Sequence, residues 1–126
     1  MKKIVVSVLL GLGLSILSTA PSEADVSKAN RVACAQAQGL IAQMYMSNMS
    51  SDTPIVHDAK WEKSVKLKAT KLRSYAKPAS GQIKSTINAM ASTFDKAIKL
   101  KNDENASMDN SMVLLTQTNV LEALCK

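Results

Sequence analysis

The stretch that decides the fold is residues 82–100, QIKSTINAMASTFDKAIKL. Within it Ile83, Ile87, Met90, Phe94, Ala97 and Ile98 recur at intervals of three and four, which a helix of about 3.6 residues per turn gathers into one narrow sector. This is an amphipathic helix with a core face and an outer face.

Working upstream, Pro78, Ser80 and Gly81 punctuate the chain before that helix. Residues 54–76 repeat the pattern and should bury Trp61, Val65, Ala69, Leu72 and Ala76, with Thr53 as cap and Pro54 in the first turn. Residues 25–49 carry Val26, Ala33, Ala37, Leu40, Ile41 and Met44 on one stripe, flanked by Cys34 and Tyr45, with Lys28 and Arg31 turned away. The polar run 47–53 should end that first helix. Downstream, residues 102–105 form a polar connection, after which Met108, Met112, Leu115, Leu121 and Leu124 are expected to continue the pattern as a fourth core stripe.

Between residues 25 and 126 glycine stands only at Gly39 and Gly81, and proline only at Pro54 and Pro78. So few breakers leave no room for the many turns of an all-β fold. The reading is all-α: a small up-down-up-down four-helix bundle, in which the start of the first helix lies beside the end of the fourth. Cys34 and Cys125 stand at those two places, so one disulfide between them should close the bundle.

The chain opens on an export pattern. Lys2 and Lys3 precede an apolar run from Ile4 to Leu17, shorter than the roughly 20 residues of a spanning helix. Ser22 and Ala24 supply small residues before a cut, whereas Pro21 disfavours a cut after Ala20. Residues 1–24 therefore read as a signal peptide cleaved after Ala24, and 25–126 as one helical domain, secreted or periplasmic, with no stable transmembrane segment after cleavage. An oxidising compartment also suits the expected Cys34–Cys125 bridge.

Charge is segregated along this domain. Residues 60–101 hold eleven Lys and Arg against Glu62 and Asp95, while the rest of 25–126 is net acidic. On a helical wheel Lys60, Lys63, Lys66, Lys71, Arg73 and Lys77 lie opposite the Trp61 and Leu72 stripe, with Leu67 alone among them. Such a face either keeps a small protein soluble or docks on something acidic, an acidic protein or an anionic envelope component. Nucleic acid is not expected, because the chain has an export signal and few aromatic residues for stacking on bases.

Two other features bear on function. Met44-Tyr45-Met46-Ser47-Asn48-Met49 resembles the methionine clusters of exported copper-binding proteins, and soft thioethers select Cu(I). With His57, the only histidine, Met44, Met46 and Met49 define the alternative of a soft-metal or haem carrier. Otherwise no cofactor is implied. The chain lacks a phosphate-cradling glycine loop, a paired-histidine metal spacing and a nucleophile turn, and both cysteines are assigned to the bridge. Asn48 and Asn105 head glycosylation triplets in expected loops.

The residues thus point to an exported, non-enzymatic helical binding protein of accessory, inhibitor or immunity type, with the lysine-rich second-helix face as its contact surface. The alternatives are the metal or haem carrier and an envelope or membrane-surface associated protein. Amino-terminal sequencing of the exported chain is expected to begin at Asp25; a start at Met1 removes the signal-peptide reading.

Overall fold

The computed structural model describes residues 27–50 and 56–126, without the side chains of 49 and 50. The expected signal peptide, its cleavage site, Val26, Thr53 and Pro54 lie outside the described residues. Four helices follow one another: α1 (Lys28–Ser50), α2 (Ala59–Ala76), α3 (Gly81–Lys99) and α4 (Glu104–Leu124). No strand occurs among the described residues.

Helix starts are set by short polar side chains. The Asn30 amide donates to Ser27 Oγ at 3.1 Å, Trp61 N to Asp58 Oδ1 at 2.9 Å, and Ala106 N to Asp103 Oδ1 at 3.1 Å. Each satisfies an amide that the helix itself leaves without a partner. The α2 start corrects the expectation at Thr53 and Pro54. Val56 and His57 precede the helix, and the Asp58 cap with Glu62 in the first turn fixes its beginning at Ala59. α3 begins instead with Gly81 at φ 62°, a left-handed backbone that only glycine adopts without strain.

Polar contacts between helices fix the topology. At one end, Cys34 of α1 is bonded to Cys125 just beyond α4, and Ser80 N, at the α2–α3 turn, donates to Asn30 Oδ1 of α1 at 2.9 Å. At the other end, Lys101 after α3 pairs with Glu62 early in α2. α1 and α3 therefore run one way, α2 and α4 the other, and the bundle is up-down-up-down as the periodicity implied. α3 packs on all three partners, whereas the backbones of α2 and α4 do not approach each other closely.

The core is one continuous cluster. α3 gives Ile83, Ile87, Met90, Ala91 and Phe94; α2 gives Val65, Ala69, Leu72 and Ala76; α1 gives Ala33, Cys34, Ala37 and Ile41; α4 gives Leu114 and Leu121. Leu72, Ile87, Met90 and Leu121 are fully buried, and each such side chain stabilises the fold by about 1.5–3 kcal/mol. Trp61 and Leu40 are only partly buried at the margin.

α4 departs from expectation. Met108, Met112 and Leu115, read as core, are 65%, 58% and 42% exposed. The inward positions are Asn110, Leu114 and Leu121, with Gln117 beside them and Leu124 partly buried. Asn110 Nδ2 donates to the Thr93 carbonyl at 3.0 Å, and the Thr93 hydroxyl lies 2.8 Å from Gln117 Oε1. Hydrogen bonds make polar residues acceptable in the α3–α4 seam, so counting apolar residues selects the wrong face. Asn48 and Asn105 also lie in α1 and α4 rather than in loops.

Cys34 and Cys125 are 91 residues apart with Cα atoms 5.9 Å apart. Closing so long a loop stabilises the fold by about 4–5 kcal/mol in the chain-entropy model. Urea unfolding of a Cys34→Ser, Cys125→Ser double variant is expected to show a loss of that order; an unchanged midpoint would show that the four-helix packing holds without the bridge.

Candidate functional site

α2 buries Val65, Ala69, Leu72 and Ala76 and so turns the opposite side of the helix outward. That side carries Lys60, Lys63, Lys66, Lys71 and Lys77, all exposed, and Leu67, 54% exposed. An apolar side chain held in water among ammonium groups gains nothing from the fold.

Two shallow depressions meet at Leu67. The outer one lies along α2 and is lined by Lys60, Lys63, Ser64, Lys66, Leu67 and Thr70. The second, about 240 Å³, runs between α1 and α2, where Leu40, Met44 and Leu67 form apolar walls and Lys68 and Lys71 a cationic edge. Together they give a ridge-and-groove surface with positive rims.

The cations on this surface are mostly uncompensated. Arg73 is the exception within the expected set, since it donates to Asp95 of α3 at 2.6 Å. Lys101 is likewise paired with Glu62. That leaves Lys60, Lys63, Lys66, Lys68, Lys71 and Lys77 of α2 and its cap with no carboxylate in pairing range among the described residues. Lys77 closes α2 as its C-cap, at the far end from Lys60.

Lys68 was not among the sequence-derived candidates. It sits on the α1-facing flank of α2, where its ammonium donates to Ser64 Oγ at 2.7 Å. Partial burial, and then the neighbouring Lys71 charge, hold its pKa below the ordinary lysine value of 10.5. The burial depends on how α1 lies against α2, which periodicity does not specify, whereas Lys71 stands three residues on along the same helix.

The residues of the metal alternative are dispersed in role. Met44 is half-buried against the core and lines the α1–α2 groove, whereas Met46 is 70% exposed. Two positions apart on a helix, they point about 200° from each other. The Met49 side chain is outside the described residues. His57 stacks on Trp61 with ring centroids 4.3 Å apart, and its Nδ1 donates to the Lys101 carbonyl at 3.2 Å, which ties the start of α2 to the α3–α4 link. Among the described residues no three His, Cys, Asp or Glu side chains form a metal-binding group, and no helix is long and apolar enough to cross a membrane.

No family model, curated protein or solved structure matches this chain. Its function is therefore argued from these residues alone.

The lowered Lys68 pKa has a defined sign. Below that pKa the ammonium is charged in folded and unfolded chains alike, and the cost of burying it is borne in full. The cost fades as pH rises from the folded pKa toward 10.5. A ¹³C NMR titration of the Lys68 ε-methylene is expected to give a midpoint below 10.5 that moves up in the Lys71→Gln variant; a midpoint indifferent to that substitution would remove Lys71 as a cause.

Proposed function

We propose that the chain is an exported binding protein without catalytic activity, of accessory, inhibitor or immunity type, that docks the outer face of α2 on an acidic protein. The observation that carries this reading is the cluster of Lys60, Lys63, Lys66 and Lys71, unpaired by carboxylates among the described residues, around an exposed Leu67. A face meant only for solubility needs no apolar residue at its centre, and mixed surface charge serves that end well. A docking face uses both elements: charge speeds and orients the encounter, and a desolvated apolar anchor slows dissociation.

The rest of the fold supports the role. The continuous core holds α2 against α3, and a face already ordered in the free protein loses few degrees of freedom at an interface. Export, with cleavage after Ala24, puts the domain in the compartment where its disulfide persists. The lysine face then meets other exported proteins and the anionic envelope.

The test is charge reversal on the exposed face. A Lys63→Glu, Lys66→Glu, Lys71→Glu variant is expected to keep the circular dichroism spectrum of the parent and to lose capture of an acidic protein from the envelope or secreted fraction. Parent capture should also weaken with salt, since exposed charges are screened over about 8–10 Å at physiological strength. Capture that survives both changes rejects the α2 face as the contact surface.

A further inference from the structure

α4 has an outer face with the reverse chemistry of α2. Met108, Met112 and Leu115 are all exposed, and spacings of four and three align them on one side of the helix, away from the buried Leu114 and Leu121. Scattered exposed apolar residues are ordinary on a protein surface, but an aligned set marks a contact site. α4 contains Glu104, Asp109 and Glu122 and no lysine or arginine. Glu104 and Glu122 are exposed and fall within about 50° of the stripe, one at each end of it.

The two faces are complementary and cannot meet within one molecule. α2 and α4 each pack on α3 and their backbones do not approach each other closely, so they occupy opposite corners and their outer faces look in opposite directions. Pairing α4 with α4 would oppose the three carboxylates with their own copies, and pairing α2 with α2 would do the same to the lysines. Both symmetric arrangements set like charges together. The arrangement that joins opposite charges and covers both apolar sets is α4 of one copy on α2 of the next.

We propose that a second copy of this chain docks head to tail, its Met108, Met112 and Leu115 stripe seated on the Lys60 to Lys71 face of α2. Leu67 enters between the methionines, whose flexible thioethers adapt to it, while Glu104 and Glu122 lie against the lysines. The inference rests on the reading of the α2 face as an acid-binding surface and names one partner for it. Because the contact joins two different patches, each copy still offers one of each, and association continues beyond the dimer. A copy whose α2 face is covered in this way cannot hold another acidic protein there.

The experiment is sedimentation velocity of the exported, disulfide-bonded chain at about 20 mM and about 500 mM salt, with two variants that each spoil one face. Met112→Lys breaks the α4 stripe; Lys63→Glu with Lys66→Glu breaks the α2 face. All three positions are exposed, and thermal melts check that the fold is kept. The parent should sediment faster with rising concentration in low salt and lose that dependence in high salt, while each variant alone stays monomeric. An equimolar mixture of the two variants has one intact α2 face and one intact α4 face, so it should form a dimer and stop there. A monomeric parent in low salt, a variant that associates as the parent does, or a mixture that stays monomeric overturns the head-to-tail contact. A monomeric parent that still captures an acidic protein through α2 overturns this contact alone. A parent that pairs head to tail but captures no other acidic protein retires the wider reading and leaves this contact standing.

Discussion

The fold is organised on the core face of α3. Ile83, Ile87, Met90, Ala91 and Phe94 give α2 and α4 their main surface to cover, while α1 closes the bundle against all three other helices. Because α2 and α4 both pack on α3 more than on any other helix, a change in its core face would displace both outer surfaces at once. The buried Asn30 and Asn110 then choose among packings that apolar contact alone would leave equivalent. Asn30 holds the start of α1 at the α2–α3 turn, and Asn110 sets the rotation of α4 against Thr93.

The same division explains what could be read from residue order. α1, α2 and α3 were legible because their core positions are apolar and periodic, and the Cys34–Cys125 pairing followed from the topology they imply. The inward face of α4 was not legible, since Asn110 and Gln117 occupy places where a pattern reader looks for leucine. The start of α2 was misread because Thr53-Pro54 and Asp58 both resemble helix starts; only the observed bond from Trp61 to Asp58 decides between them. On the candidate surface, the outward lysines followed from lying opposite a core stripe. The Arg73–Asp95 pair and the burial of Lys68 arise from the register between helices, information that one helix does not carry, whereas the Lys71 charge three residues from Lys68 is present in the sequence.

Segregation of charge has an energetic side. Lysines gathered on α2 repel one another, and the partially buried Lys68 beside Lys71 bears the clearest sign of it. Arg73 and Lys101 are drawn back to α3 and α2 carboxylates at the edge of the face, which relieves the margin and leaves the centre around Leu67 unrelieved. An incoming acidic surface would lower this repulsion as well as make new contacts, and carboxylates on α4 have the matching sign.

The bridge also governs how the molecule bears tension. Cys34 lies in the second turn of α1 and Cys125 caps the end of α4, so a pull applied outside these two residues runs through a covalent S–S bond. The 91 residues of separation between them are short-circuited, and outside the bridge the load falls on the first turn of α1, where Asn30 bonds to Ser80. A domain attached to a moving envelope or to a partner under strain would keep both surfaces intact until the sulfur bond itself was reduced.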